Sequence, residues 1–421
     1  MNRLLGKAAG DDARVSLEDY EHNVLSPVRT DDLLFAAQHP EENPFYPYFS
    51  ERLCEIIEKE GSHFIGFSLS YLSQALCGFA MIGFIKTHFP DRNIVLGGSL
   101  LTSWMKSHVW KNPFNGLVNH LVCGPGEGQL LALLGKKISQ ETHYRPMYDF
   151  ECVEQYFAPG LIMPYSTSSG CYWGKCAFCP ERAEGNKHIQ RPPQTIASEL
   201  RDLVEEIKPV LIHLTDNAIS PIVLKHLAGN PPGASWYGFA RVTEHLTDPD
   251  FCIALKRSGC VMLKLGVESG DQTVLDAMHK GNDVSITSRA LKALSEAGIA
   301  VYAYLLFGTP SESEKEARAT LDFVVEHSPF IDFLNLAIFN LPLMSPDSEA
   351  LQRSSFYKGD LSLYTDFIHP KGWNRIKVRR FLNNEFKKHP AIKPILQRQP
   401  PLFTSNHAPL FSRLFMDYMA K

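Results

Sequence analysis

A regular alternation of strand-like and helix-like segments over residues 159–345 constrains the fold of this 421-residue chain most strongly. The predicted strands lie at 161–164, 210–214, 236–240, 262–267, 301–307 and 333–339. The predicted helices lie at 195–207, 221–228, 250–258, 285–297 and 312–327. A capping box of Ser311 with Glu314 is expected to open the last helix, and Gly298 to end the one before it. Six strands alternating with helices favour a parallel sheet, two units short of a full TIM barrel, so we expect a partial (βα)6 barrel.

A shorter alternation of the same kind precedes the barrel. It predicts strands at 63–69, 93–96 and 120–123 and helices at 72–87, 101–109 and 129–137. Two of the strands end in glycine-rich turns, at Gly97 and Gly98 and over residues 124–128. Ligands of such parallel sheets bind beyond the carboxyl ends of the strands. The turns therefore mark a candidate binding edge.

The sequence thus predicts an α/β protein with two domains. A Rossmann-like domain is expected at 46–140 and the barrel at 159–345, joined by a linker at 141–158. An irregular arm with a short helix near 33–38 is expected at 1–45, and a helical and irregular extension at 346–421. In the extension, 373–388 reads as a helix with a basic face. The aromatic segment after Pro400 is expected to pack against the protein, with Asn406 and His407 as hypothetical contacts to a substrate cavity.

Composition and charge exclude several classes of protein. With 44% hydrophobic residues, 21% charged residues and a net charge of −4, the chain resembles soluble globular proteins and gives no reason to expect a nucleic-acid partner. No apolar run reaches the roughly 18–20 residues of a membrane span, and the first residues lack the pattern of a signal peptide. We therefore expect a cytoplasmic protein without a membrane span.

Three of the nine cysteines lie in one loop, directly after the first predicted barrel strand. Cys171, Cys176 and Cys179 can ligate three irons of a 4Fe–4S cluster and leave the fourth iron open to a substrate or cofactor. Together with His188 they can instead form a Cys₃His zinc site, as in a non-catalytic binding module. The other six cysteines are scattered among apolar neighbours and read as buried hydrophobic residues.

The loop ends in Cys-Ala-Phe-Cys and resembles the signature loop of the radical S-adenosylmethionine (SAM) family. The stretches 268–281 and 304–312 are similar to that family as well. The glycine-ended strands extend the likeness, over roughly residues 60–345, to the members with a cobalamin-binding domain. The usual first gap between the cysteines holds three residues, whereas here it holds four, and Gly174 can absorb the extra residue by adopting a positive φ.

The resemblance implies that SAM binds the open iron and is cleaved by an electron from the cluster. Polar residues at the carboxyl ends of the barrel strands become candidate SAM ligands. Arg241 can pair with the SAM carboxylate through two hydrogen bonds, and Glu268 can hold the ammonium or ribose hydroxyls. Asp216 can alternatively cap the next helix, and Glu312 can be only a first-turn helix charge. The predicted SAM-binding residues are Phe178, Asp216, Arg241, Glu268, Ser269, Gly308 and Pro310.

For the N-terminal domain the resemblance implies cobalamin, held near Gly97, Gly98, Gly126 and Glu127. Only three strands are predicted where the family has about five, and His63 lacks the aspartate of the Asp-x-His-x-x-Gly motif. A scaffold without cobalamin therefore stays an alternative. With cobalamin, methylation of an unactivated carbon is expected, and without it a radical rearrangement or cyclisation. The expected partners are a small-molecule or peptide substrate and an electron donor such as flavodoxin or ferredoxin.

Overall fold

A computed structural model describes residues 6, 13–16, 19–108, 110–136, 144–148, 158, 160–354, 359–400 and 405–419. The chain forms two compact units. The N-terminal unit comprises Met1–Thr142, Pro342–Met344 and Arg353–Asp366, and the barrel unit comprises His143–Leu341, Ser345–Gln352 and Phe367–Lys421. Among the described residues, no helix is both long and apolar enough to cross a membrane.

The N-terminal unit is built on a three-stranded parallel sheet. A small antiparallel pair, β1 (Ala13–Val15) and β2 (Tyr20–His22), precedes it. The sheet has the order β3 (Phe64–Ser68), β4 (Asn93–Gly97) and β5 (His120–Leu121), which confirms the three predicted strands. Its helices are Thr30–Gln38, Tyr46–Glu60, Leu72–His88, Ser99–Lys106 and Glu127–Leu133.

The core of this unit includes residues that the sequence assigned to an irregular arm. Leu33 in the helix Thr30–Gln38 is fully buried and belongs to the same apolar cluster as Phe79 in the helix Leu72–His88. The helix Tyr46–Glu60 was not predicted. Its strongly polar composition around Phe49 and Ile57, its two buried residues, gives a weak apolar pattern. Asp360 also belongs here, since it accepts a hydrogen bond from the Thr30 backbone N–H at 2.9 Å.

The barrel unit contains a six-stranded parallel sheet, which confirms the predicted partial barrel. Its strands, in spatial order, are β13 (Phe333–Ile338), β12 (Ala300–Phe307), β11 (Cys260–Glu268), β10 (Trp236–Ala240), β9 (Leu211–Ile219) and β6 (Ile162–Tyr165). A two-stranded antiparallel pair of β7 (Ser168–Ser169) and β8 (Ile189–Gln190) follows β6. The principal helices of this unit are Pro193–Ile207, Pro221–Gly229, Pro249–Arg257, Gln272–Ala277, Val284–Glu296 and Glu314–Glu326.

Two local predictions for the barrel helices have different outcomes. Gly298 lies just beyond the helix Val284–Glu296 with φ of 76°, as predicted for a helix stop. The predicted capping box of Ser311 with Glu314 is wrong, because the helix begins at Glu314 and is capped by Ser313 with Glu316. The short helix Gln272–Ala277 was not predicted, since six residues give too little periodicity.

The last segment of the chain closes the amino end of the barrel. Ala408, Leu410 and Phe415 are buried in one apolar cluster with residues at the first positions of the strands, among them Leu211 and Ala300. The cysteine loop follows the carboxyl end of β6, which is the opposite end. The hypothesis that His407 reaches a cavity at the carboxyl ends is therefore wrong, and the side chain of Asn406 lies outside the described residues.

The extension before this segment has only short helices. Its strands β16 (Tyr364–Phe367) and β15 (Arg353–Ser354) form a three-stranded sheet with β14 (Leu341–Pro342), which precedes the extension, in the order β14, β16, β15. The predicted helix at 373–388 forms over Arg375–Phe381 and continues as a π-helical turn to Phe386. Lys377, Arg379 and Arg380 are exposed, as expected for a basic face.

Candidate active site

The start of the cysteine loop is fixed by Asp216, which lies in β9 and is only 2% exposed. One carboxylate oxygen accepts from the hydroxyls of Thr167 and Ser168, both at 2.7 Å, and the other accepts from the Thr167 backbone N–H at 3.0 Å. The register between β9 and β10 shifts here, which turns Asp216 toward the loop. Asp216 was predicted to bind SAM, but both its oxygens are engaged in holding the loop.

The loop itself lies between β7 and β8 and carries the three cysteines. Cys176 is buried, while Cys171 and Cys179 are partly exposed. Gly174 has φ of 58°, the positive value expected for a loop with one extra residue. A hydrogen bond of 2.9 Å from the Ala177 N–H to the Met278 carbonyl holds the loop against residues that follow β11.

Burial opposes ionisation of two thiols of the loop, those of Cys176 and Cys179. Burial raises the pKa of Cys179 to about 11, and burial also raises the pKa of Cys176, against the opposing effect of Lys280 and Arg241. Metal ligands must be deprotonated, so a bound cation stabilises these cysteines as thiolates. Among the described residues, no three His, Cys, Asp or Glu side chains converge on a single ion position, and the Cys₃His zinc alternative gains no support. A cluster instead distributes its thiolates over separate irons, which fits three cysteines spread along one loop.

Arg241 connects the end of β10 to the cysteine loop. It is buried, and its Nη1 lies 3.8 Å from the Cys176 Sγ. Nη2 donates to the Lys280 carbonyl, and the guanidinium lies 4.1 Å from the centroid of the Trp173 ring. The sequence predicted Arg241 as a site residue but missed Trp173, because an aromatic residue in a loop carries no specific signal by itself.

Glu268 and Lys280 form a buried ion pair beside the loop. Their side chains are 12% and 7% exposed, and Oε1 lies 2.7 Å from Nζ. Glu268 has φ of 64° next to a register shift between β11 and β12, and such strain usually marks a functional position. A Cβ on Gly266 would lie 2.5 Å from Nζ, so this position must be glycine for the pair to form undisturbed. Lys280 also lies 5.6 Å from the ring of Phe178.

Lys280 is the most important residue that the sequence reasoning missed. It lies in the stretch 268–281 that carried the resemblance, but it was not among the predicted site residues. A single sequence contains no pattern that would predict the buried ion pair of Lys280 with Glu268, twelve positions earlier. Phe178 packs on Val274, Leu275 and Met278, so it too is fixed by this stretch.

The predicted site residues in the turns after β11 and β12 differ in how buried they are and in what they contact. Ser269 is buried and lies 3.0 Å from the Thr320 hydroxyl, so it faces a helix. Gly308 donates its N–H to Glu312, while Pro310 is partly exposed. Glu312 is fully buried and precedes the helix, so its interpretation as a first-turn helix charge is wrong.

Glu312 is instead a buried acid behind the Gly308 turn. Its Oε2 also accepts from the Trp373 indole N–H at 2.9 Å, whereas Oε1 has no hydrogen-bond partner among the described residues. Burial raises its pKa to about 7, partly opposed by the hydrogen bonds from Gly308 and Trp373. The carboxyl therefore changes its charge near neutral pH.

The four predicted cobalamin residues lie in the N-terminal unit, at and beyond the carboxyl ends of β4 and β5. Gly98 has φ of 102°, and a Cβ there would collide with the Leu69 backbone, so glycine is required by the fold itself. Gly97 and Gly126 both face the side chain of Val122. Glu127 is exposed at the first position of the helix Glu127–Leu133.

Comparisons with known proteins agree with this geometry. Residues 165–324 match the model of the Radical SAM superfamily. The chain is 28% identical over 174 residues to a bacteriochlorophyllide d C-12(1)-methyltransferase of Chlorobaculum tepidum, covering 39% of this chain and 38% of that protein. It is 22% identical over 223 residues to an anaerobic magnesium-protoporphyrin IX monomethyl ester cyclase of Cereibacter sphaeroides, covering 51% and 36%. The chain thus spans less than half the length of these curated relatives.

Two solved structures share the fold over most of the chain. The radical SAM methyltransferase TsrM from Kitasatospora setae, solved with tryptophan substrate and a SAM analogue, has a TM-score of 0.58 at 17% identity and covers 79% of this chain and 75% of that one. The cobalamin-dependent radical enzyme OxsB, solved with aqua-cobalamin and SAM, has a TM-score of 0.60 at 14% identity and covers 83% and 64%. At these identities the likeness establishes the fold.

Proposed function

Because residues 165–324 make this chain a member of the radical SAM superfamily, we propose that it is a radical SAM enzyme whose cluster ligands are Cys171, Cys176 and Cys179. When bound, a 4Fe–4S cluster supplies the electron that cleaves SAM reductively. The observation that carries this proposal is the three-cysteine loop, anchored on Asp216 at the carboxyl end of the barrel. Arg241 lies beside Cys176 there and stabilises its thiolate.

The residues next to the loop have the chemistry that SAM requires. Glu268 presents a carboxylate that can accept hydrogen bonds from an ammonium or from ribose hydroxyls, and its Oε1 already accepts from Lys280 Nζ at 2.7 Å. Arg241 has five N–H donors, and its contacts to Cys176 and Lys280 leave others for the SAM carboxylate. Phe178 and Pro310 supply apolar surface for the adenine. Ser269 and Gly308 position the turns that carry these groups.

For the reaction, we propose cobalamin-dependent methylation of an unactivated carbon. The support is the fold shared with TsrM and OxsB over about four-fifths of the chain, together with a methyltransferase among the curated relatives. The carboxyl edge of β3–β5 is accessible to a ligand, because Ser68 is exposed and Tyr71 after β3 is 68% exposed. Gly97, Gly98, Gly126 and Glu127 would line this edge.

The substrate class is a small molecule or a peptide, and the electron comes from a donor such as flavodoxin or ferredoxin. Two relatives are a bacteriochlorophyllide d methyltransferase and a magnesium-protoporphyrin IX monomethyl ester cyclase, and TsrM was solved with a tryptophan substrate. We place the enzyme in the cytoplasm, where reduced electron carriers are available.

The test is anaerobic reconstitution with iron and sulfide, followed by assays of the SAM products with titanium(III) citrate as reductant. We expect 5′-deoxyadenosine and methionine from the wild-type protein. Added cobalamin is expected to give S-adenosylhomocysteine as well, because methyl transfer from SAM leaves that product. The same product pattern with and without cobalamin would refute the methyltransferase proposal but keep the radical enzyme.

The matched control replaces the three proposed ligands together, Cys171→Ala, Cys176→Ala and Cys179→Ala. A second control replaces Cys252, which is buried in the barrel unit away from the loop sequence, with alanine. We expect loss of cluster absorbance and of 5′-deoxyadenosine in the triple variant only. Cluster retention in the triple variant, or stoichiometric zinc in the wild type without SAM cleavage, would contradict the proposal.

A further inference from the structure

The outer side of the cysteine loop carries an open basic basin of about 420 Å³. It is lined by Gly174, Lys175, Arg182 and His279. The side chains of Lys175, Arg182 and His279 are all exposed. The Arg182 Nη1 donates to the Lys175 carbonyl at 2.8 Å, which ties the two cationic residues to one place. The acidic residues closest in the chain are Glu181 and Glu184, both partly buried, and Asp276, which is exposed.

Trp173 connects this basin to Arg241, which lies beside Cys176, the buried one of the three proposed ligands. Lys175 Nζ is 4.9 Å from the centroid of its ring, and the Arg241 guanidinium is 4.1 Å from it. The indole N–H donates to the His279 carbonyl at 3.0 Å, and a Cβ on Gly281 would overlap the ring. The ring is therefore held rigidly by contacts with groups from two segments of the barrel unit.

These contacts form a continuous path from solvent to a cluster ligand. Lys175 contacts Trp173, Trp173 contacts Arg241, and the Arg241 Nη1 lies 3.8 Å from the Cys176 Sγ. Cys176 itself is buried and cannot be touched directly by a protein in solution. An electron that reaches the cluster through Cys176 must cross a layer of protein, and at the basin that layer includes the packed ring of Trp173.

The charge of the basin indicates the nature of the partner. The whole chain carries a net charge of −4, so its long-range field repels an acidic protein. Because the basin is locally positive, it attracts an acidic partner that the net charge of the chain repels, and the partner docks there in preference to other surfaces. Electron-transfer complexes are also among the smallest and weakest protein interfaces, which suits an open basin better than a deep groove.

We infer that the Lys175–Arg182–His279 basin is the docking surface for a small acidic one-electron carrier protein, which reduces the cluster by way of Trp173. The inference rests on the function proposed above. In each encounter the carrier is oxidised by one electron and the cluster is reduced by one, with no bond made or broken. The electron then serves the reductive cleavage of SAM.

The experiment compares two reductants on one enzyme preparation. SAM cleavage is measured with a photoreduced acidic flavodoxin and with titanium(III) citrate, which needs no docking surface. The variant is Lys175→Glu with Arg182→Glu, and its readout is the ratio of the two rates, so partial loss of cluster cancels. We expect this ratio to fall about tenfold, because reversed charges at a docking rim slow association by that order.

The matched control is Arg201→Glu with Lys225→Glu, which makes the same change in net charge on exposed helical positions of the barrel unit. Its ratio is expected to equal that of the wild type. The wild-type rate with flavodoxin is also expected to fall with salt, since a Debye length is only about 8 Å at 0.15 M. An unchanged ratio in the basin variant, or an equal fall in the control, would overturn the inference. Absence of SAM cleavage with titanium(III) citrate in the wild type would refute the proposed function itself.

Discussion

The clearest test of the site concerns Asp216, through the change Asp216→Asn. The carboxylate accepts three hydrogen bonds from Thr167 and Ser168 in a buried position. An asparagine oxygen can still accept from the two hydroxyls, but its NH₂ group then faces the Thr167 backbone N–H, which is also a donor. One hydrogen bond to a charged acceptor is lost, at about 1.5–3 kcal/mol.

A loss of about 2 kcal/mol lowers the melting temperature of a domain of 150–250 residues by roughly 4–8 °C. We therefore expect Asp216→Asn to lower the melting temperature of the apo protein by this amount and to reduce the iron bound per chain. The fraction that keeps its cluster is expected to bind SAM with wild-type affinity, because both Asp216 oxygens are engaged with Thr167 and Ser168. Calorimetry, iron assay and SAM titration measure the three quantities.

The surface change Asp202→Asn on the helix Pro193–Ile207 is the matched control and is expected to alter none of them. Thr167→Val removes one of the donors and is expected to give a smaller loss of stability. Combined with Asp216→Asn, it is expected to add less than its separate effect, since contacting residues are not additive. Wild-type stability and iron content together with weakened SAM binding would refute the positioning role and restore Asp216 as a SAM ligand.

Three further predictions concern other parts of the barrel unit. Gly266→Ala places a methyl group against Lys280 Nζ and is expected to cost about 1–3 kcal/mol and to weaken SAM binding, measured by denaturation and titration. Because the folded pKa of Glu312 is raised to about 7, its protonated form stabilises the fold below pH 4.5, and this contribution is lost as the pH rises to 7. The unfolding free energy of Glu312→Gln is therefore expected to rise relative to that of the wild type between pH 5 and pH 8, by up to about 3 kcal/mol. A difference between the two unfolding free energies that stays constant with pH would contradict this prediction. Phe415→Ala is expected to cost about 3 kcal/mol in unfolding free energy, with the cluster absorbance retained.

The strands and most helices could be predicted because their signals are local. The six barrel strands are buried, apolar and separated by helices with one apolar face, and the structure places all six in the expected sheet. The end of β9 could not be predicted from local signals. Its apolar run stops at Leu214, but the strand continues to Ile219 through the irregular stretch that contains Asp216. Polar residues within a strand are predicted to form a loop when the buried residues that they hydrogen-bond to are not known.

The site could be located but its internal contacts could not. Motif spacing and strand ends indicate Cys171, Arg241 and Glu268, since these positions follow from chain order alone. The roles of Trp173 and Lys280 depend on contacts across about seventy and twelve positions of sequence, respectively, which only the folded barrel defines. Asp216 and Ser269 were predicted on the correct strands, but their side chains contact Thr167 and Ser168 in one case and Thr320 in the other.

The charges buried around the cysteine loop explain why the ligands and the cluster depend on one another. Arg241 and Lys280 are both buried, and Glu268 is the only carboxylate paired with either among the described residues. The Arg241 guanidinium therefore has no paired carboxylate among the described residues while the cysteines are protonated thiols. A buried charge without a counter-charge is costly, and burial also opposes ionisation of the Cys176 and Cys179 thiols. In the proposed enzyme, cysteine thiolates bound to iron and the SAM carboxylate would offset both costs. The residues that destabilise the empty loop would then favour the loop with its cluster bound.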